Sequence, residues 1–174
     1  DEYMHFLNDH EEFGLKIGKI EVDFDKVIKR SRDVAKRMSN GIGFLFKKYK
    51  IQKVQGFGVV KSGKEVDVRN KDGETTDKIK CKNVIIATGA RPRMFEGIEV
   101  DRKKVITSKE AMIQKKIPKK MIVMGAGAIG VEFAYFYNAF GSEVTIIEMM
   151  DRILPVEDKD SSRELNRHFK KSGM

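Results

Sequence analysis

Two features of this 174-residue chain combine residue types and spacing that could do chemistry. One is the run Gly-Ala-Gly-Ala-Ile-Gly at 125–130; the other is Glu148, eighteen positions beyond Gly130. In the run, Gly125 allows a tight turn out of a strand, Gly127 lets backbone approach a pyrophosphate, and Gly130 lets the following helix lie close to the strand. The amides of the first helical turn, from about Ala128, and the helix dipole would then face the phosphates, so that no lysine is needed. Glu148 closes the next strand, where a carboxylate can accept both hydroxyls of an adenosine ribose and repels a 2′-phosphate. NAD is therefore expected rather than NADP, since Met149 and Met150 follow the acid in place of arginines; Arg152 is the one residue that could reverse the preference. Glycine-rich turns also serve plain close packing in many folds. The order strand, glycines, helix, strand, acid is what turns the run into a dinucleotide signal.

That order is legible around the motif. Lys120–Met124 reads as a strand, about Ala128 to Phe140 as a helix, Gly141 as its stop and Glu143–Glu148 as a second strand, together a βαβ unit. A last helix is expected from Asp158 to Lys171, ending at Gly173. Upstream, Val27, Val34, Met38, Ile42, Leu45, Phe46 and Tyr49 recur at helical spacing between Phe24 and Lys50. Gly41 and Gly43 weaken that helix near its end, each by about 1 kcal/mol against alanine. IQKVQGFGVVK and KEVDVRN follow as short β pieces, and NKDG at 70–73 makes a hairpin turn into TTDKIKCK. In NVIIATGARP, Val84–Ala87 predicts a strand apolar on both faces, as in a parallel sheet, ending in a turn at Gly89. Residues 91–118, with Pro92, Pro118 and a capping box Thr107–Glu110, read as an interdomain crossover with one short helix.

The remaining chemistry-bearing residues are isolated. Cys81 stands alone before the expected buried strand and reads as a packing residue. His5, His10 and His168 lie among charged residues without metal-ligand spacing and read as surface residues. Apolar residues at 40% and charged residues at 35% are a globular composition. No run approaches the ~18 consecutive apolar residues of a membrane span, and the acidic start DEYMHFLNDHEEFG is no signal peptide. The single cysteine agrees with a reducing cytoplasm. The net charge of +9 is spread in short lysine clusters broken by Asp and Glu, with no aromatic-interleaved basic stripe, so it reads as solvated surface and not as a nucleic-acid site.

GAGAIGVEFAYFYNAFGSEVTIIEMMDRILP, the upstream ATGARP, and QGFG before the hairpin closely resemble the flavoprotein disulfide reductases, nearest to the dihydrolipoamide dehydrogenase branch, over essentially the whole chain. The resemblance implies an α/β fold made of parts of two Rossmann-like nucleotide-binding domains: 1–90 the later part of an FAD domain, 91–118 the crossover, and 119–174 the first half of an inserted NAD domain. By the same resemblance, Gly58 matches a backbone position near the flavin adenosine, and Thr88, Gly89 and Ala90 match the turn along the FAD pyrophosphate and adenosine. Ile129, Gly130, Val131 and Glu132 match the turn and helix start beneath NAD. Glu132 further matches an acid that in relatives pairs with a lysine near the flavin, and its apolar neighbours Val131 and Phe133 suggest partial burial.

The resemblance implies a homodimeric parent that oxidises dihydrolipoyl groups, carried by 2-oxo acid dehydrogenase or glycine cleavage complexes, through an active disulfide and FAD to reduce NAD. The family's first FAD fingerprint, its pair of redox cysteines, the lysine beyond them and its His/Glu couple have no counterpart among these residues. Dithiol oxidation needs a thiolate nucleophile, a resolving thiol and a base, and no catalytic residue can be named here. The chain is thus expected to be an internal piece of a longer enzyme, contributing nucleotide contacts only. The alternatives are another disulfide reductase of glutathione or mercuric type, a non-catalytic dinucleotide-binding module, and a structural piece whose glycine turn holds no ligand. A CxxxxC motif upstream of residue 1 would separate the enzymes from the module.

Overall fold

The computed structural model describes residues 4, 6, 7 and 9–174, so the expectation for His5 lies outside the described residues. Two compact units are present: one comprises the chain up to Ser31 together with Met94–Met174, the other Arg32–Arg93. The helix α1, Phe24–Lys48, begins in the first and continues into the second.

In the first unit, β4 (Lys120–Met124) and β5 (Glu143–Ile147) form a parallel pair in register from Lys120↔Glu143 to Met124↔Ile147. The right periodicity is written in β4. Met121 and Val123 turn toward the core, while Lys120, Ile122 and Met124 face away. Between the strands runs α3, Ala128–Ala139, which buries Val131, Ala134 and Tyr137 against Val144. Ala126 and Ala134 are fully buried, and their small size permits the helix to lie close to the strands. α3 ends where Gly141 takes φ +93, a left-handed conformation that costs glycine little. Ser142 Oγ then donates to Pro118 O at 2.6 Å, fixing the entry to β5 against the entry to β4.

Two further helices complete this core. The short α2, Ser108–Ala111, has the expected capping box between Thr107 and Glu110, and Ala111 O accepts from the Tyr137 hydroxyl at 2.7 Å. The last helix, α4, Lys159–Lys171, is capped by Asp158, whose carboxylate accepts from the amides of Asp160 and Ser161 at 2.9 and 3.1 Å. It places Phe169 in the core at 4% exposure. Phe24, at the start of α1, packs edge-on to Phe140 at 5.5 Å and beside Phe136 at 6.0 Å. Burial of such a ring contributes roughly 1.5–3 kcal/mol.

The second unit carries an antiparallel meander, β1 (Phe57–Lys61), β2 (Glu65–Arg69) and β3 (Thr75–Lys80), in that order. The expected hairpin turn closes β2 onto β3: Asn70 Oδ1 accepts from the amides of Asp72 and Glu74, both at 3.0 Å.

One expected element is absent. Val84–Ala87 forms no strand, and Ile85 and Ile86 are 90% and 73% exposed. A strand apolar on both faces exists only when other strands supply its hydrogen bonds and other layers cover it. Among the described residues the two sheets are β1-β2-β3 and β4-β5, and neither reaches this segment. Cys81 is also corrected. It is half-buried rather than packed before a strand, and its thiol donates to Lys64 O at 3.2 Å, beside the Cys81 amide bond to the same carbonyl at 3.0 Å.

Candidate functional site

The glycine run occupies the turn from β4 into α3, and each glycine has a separate reason to be there. Gly125 sits at φ +99, which a side chain disfavours. A Cβ on Gly130 would fall 1.9 Å from Gly125 O, so the helix could not lie so close to the turn with any larger residue. Gly127 has neither constraint: it caps α3 with ordinary φ −71 and ψ 177, and a Cβ there would meet nothing within 4 Å. Among the described residues nothing crowds position 127, so the space beside this part of the turn is open. The helix start has no side-chain cap, and Ala128 and Ile129 are exposed. First-turn amides are therefore available to an anion, which the helix dipole favours.

Glu148 lies just past β5, and its carboxylate reaches back to the turn. Oε2 accepts from the Ala126 amide at 2.7 Å, and Oε1 accepts from the amides of Met149 and Met150 at 2.7 and 2.9 Å. These bonds, with the Ala126 amide foremost, hold its carboxyl below the usual glutamate range. The loop after β5 is laced to the same turn: the Leu154 amide donates to Ala126 O at 2.7 Å, and the Gly125 amide donates to Ile147 O at 2.8 Å. Beside Glu148 opens a groove of about 420 Å³, with Arg152, Lys159 and Arg163 on its walls. Arg152 bonds within its own loop, donating to Pro155 O at 2.8 Å and pairing with Asp151 at 3.3 Å, while its buried Nε has no partner among the described residues.

The structure thus brings together Gly125, Gly127, Ala128, Ile129, Gly130 and Glu148. It does not do the same for the other expected contacts. Glu132 is exposed, against the partial burial expected from its neighbours; one position past Val131, it has rotated off the buried face of α3. It lines a separate groove of about 630 Å³ with Tyr135 and His168. Gly58 is exposed on β1, and Thr88, Gly89 and Ala90 are exposed in the irregular segment after Val84–Ala87. His168 is exposed as expected, whereas His10 is half-buried, and its Nδ1 has no hydrogen-bond partner among the described residues. Sequence reasoning missed Ala126, whose fully buried peptide joins Glu148 to Leu154. Its position between two glycines was the available signal: a turn of flexible residues needs a fixed point.

A parallel β-α-β pair wound around a glycine turn, with an antiparallel meander in a second unit, is the architecture of partial Rossmann-like domains in a disulfide oxidoreductase. The family profile described as pyridine nucleotide-disulphide oxidoreductase matches residues 5–174, and the chain belongs to that family. The dihydrolipoyl dehydrogenase of Chlorobaculum tepidum is 46% identical over 164 residues, which cover 94% of this chain and 35% of that protein. The dihydrolipoyl dehydrogenase of Zymomonas mobilis is 40% identical over 174 residues, covering 99% and 37%. In fold, the chain superposes on the crystal structure of LpdA from Mycobacterium tuberculosis with a TM-score of 0.83 at 24% identity, covering 97% of this chain and 37% of that one. The chain spans little more than a third of the length of these relatives.

Proposed function

We propose that this chain supplies nucleotide-binding parts of a dihydrolipoyl dehydrogenase. In the whole protein, dihydrolipoyl groups of a 2-oxo acid dehydrogenase or glycine cleavage complex would be oxidised and NAD reduced. Residues 1–90 belong to the FAD domain, 91–118 cross between domains, and 119–174 form the first half of the NAD domain of a homodimer. One observation carries the NAD assignment: the Glu148 carboxylate meets the glycine turn at the uncapped start of α3, where Gly127 leaves the space beside the backbone open. Bound cofactors supply the redox chemistry, electron transfer from a dithiol through FAD and hydride acceptance by NAD. This chain's own part is binding and orientation. Amides at Ala128, Ile129 and Gly130 would hold the pyrophosphate, and Glu148 would accept from the adenosine ribose while repelling a 2′-phosphate. Arg152 is held in its own loop by Pro155 and Asp151. Gly58 and Thr88 to Ala90 would lie along FAD once the segment 84–87 is paired, and Glu132 would pair with a lysine outside this chain. The cytoplasm suits a chain with one thiol.

The test uses the longest natural polypeptide that contains this chain. It should oxidise dihydrolipoamide with NAD, bind NAD more tightly than NADP by calorimetry, and lose about ten- to a hundredfold in NAD affinity with Glu148→Ala, the loss expected when hydrogen bonds to a charged acceptor disappear. Equal or better affinity for NADP sinks the coenzyme assignment, and no turnover of dihydrolipoamide sinks the substrate.

A further inference from the structure

We propose that Glu148 is a positioning residue as well as a nucleotide contact: reaching back from the end of β5, its carboxylate fixes the glycine turn in its binding shape before any nucleotide arrives. The inference deepens the dinucleotide reading and rests on it. Gly125 and Gly127 have no side chains with which to hold the turn, and glycine is the residue with the most backbone freedom to lose. The restraint must come from elsewhere, and Ala126 between them is where it is applied. The Ala126 amide donates to Glu148 Oε2 at 2.7 Å, a bond between residues 22 apart in sequence, and its carbonyl accepts from Leu154 at 2.7 Å. The peptide units on both sides of Ala126 are thereby held. The Met149 and Met150 amides on Oε1 aim the carboxylate at the turn. Because Ala126 is fully buried, its amide has no ready solvent partner if the carboxylate is removed.

A carboxylate offers about four lone-pair directions; three amides use three of them here, leaving one on Oε2 for a ribose hydroxyl. Glutamine keeps the shape but presents N–H groups on one side, so it can meet a hydroxyl yet cannot satisfy amides at both of its ends. Positioning and contact therefore separate in experiment.

In the longest natural polypeptide containing this chain, amide exchange of segment 124–128 without nucleotide is compared between the wild type and Glu148→Gln. Calorimetry on both proteins follows, with NAD and with an NAD analogue lacking the adenosine-ribose 2′- and 3′-hydroxyls. The substitution is expected to accelerate exchange of the turn, but not of α3, by about tenfold, the size of one lost bond to a charged acceptor. It should also weaken the dideoxy analogue severalfold, although that analogue has no hydroxyl for residue 148 to contact. Unchanged exchange in the turn, or an analogue whose affinity ignores residue 148, overturns the positioning role and leaves the ribose contact standing. A wild-type protein that binds neither ligand overturns the dinucleotide reading instead, and the exchange comparison still decides what Glu148 does to the turn.

Discussion

Gly130→Ala is the most demanding change the site can be given, because a new Cβ would lie 1.9 Å from Gly125 O, a backbone atom that cannot swing aside. Overpacking of this kind costs about 1–3 kcal/mol, and relief requires α3 to move away from the turn. The variant should therefore melt at lower temperature and bind NAD more weakly; an unchanged melt with unchanged affinity would contradict the packing role. A second prediction at this scale concerns acid. Amide hydrogen bonds, chiefly from Ala126, hold the Glu148 carboxyl below its free value of 4.5, and those from Ser161 and Asp160 hold Asp158 below 3.8. A carboxyl with a depressed folded-state pKa contributes its stability in full above the unfolded value and loses it as pH falls through the folded value. Stability measured by denaturant should accordingly decline on acidification below about 4.5, and Glu148→Gln should remove its share of that decline. The three glycines and the terminal acid were legible from spacing alone. The three amides on Glu148 were not, since they depend on how the end of one strand returns to the end of another. Glu132 was misjudged because apolar neighbours in sequence are about 100° away on a helix, and the buried row is Val131, Ala134, Tyr137.

Elements were readable where their determinants are local. The capping box at Thr107, the Asn70 turn and the stop at Gly141 all act within a few residues, and each is found where the sequence placed it. Val84–Ala87 was not readable in the same way: composition announces an apolar segment, but a ladder needs a partner that composition does not name. The link between α2 and α3 was also hidden, because the hydroxyl that ties them lies 26 residues from its acceptor. Tyr137 is buried with its OH on Ala111 O at 2.7 Å, and burial pushes its pKa up to about 12, so it remains a donor at every ordinary pH. Tyr137→Phe should cost about 1–3 kcal/mol by leaving that carbonyl without its donor. The loss should appear as faster amide exchange in 108–113, with α4 unaffected; equal slowing or loosening everywhere would argue for a general packing defect.

At the scale of the molecule, apolar surface without a cover has consequences for the 174-residue piece produced by itself. Ile85 and Ile86 are open, and the face of the β4-β5 pair opposite α3 leaves Ile122 at 65% and Ile147 at 50% exposure. Unpaired strand edges beside apolar side chains favour pairing with another chain. The isolated piece should self-associate in native mass spectrometry, and Ile85→Lys with Ile86→Lys should reduce the association. It should also purify without a yellow chromophore, because Gly58 and Thr88 to Ala90 are exposed and the first FAD fingerprint of the family has no counterpart among these residues.

The register of β4 with β5 also says something about time. Its pairs, such as Lys120↔Glu143, close over 23 residues with a helix in between, whereas Val84–Ala87 must wait for a strand that no described residue provides. Chain-closure entropy makes near neighbours meet first. During refolding of the longer polypeptide, pulsed amide labelling should find β4 and β5 protected before 84–87. The glycine turn would then be assembled, and held by Glu148, while segment 84–87 is still open chain.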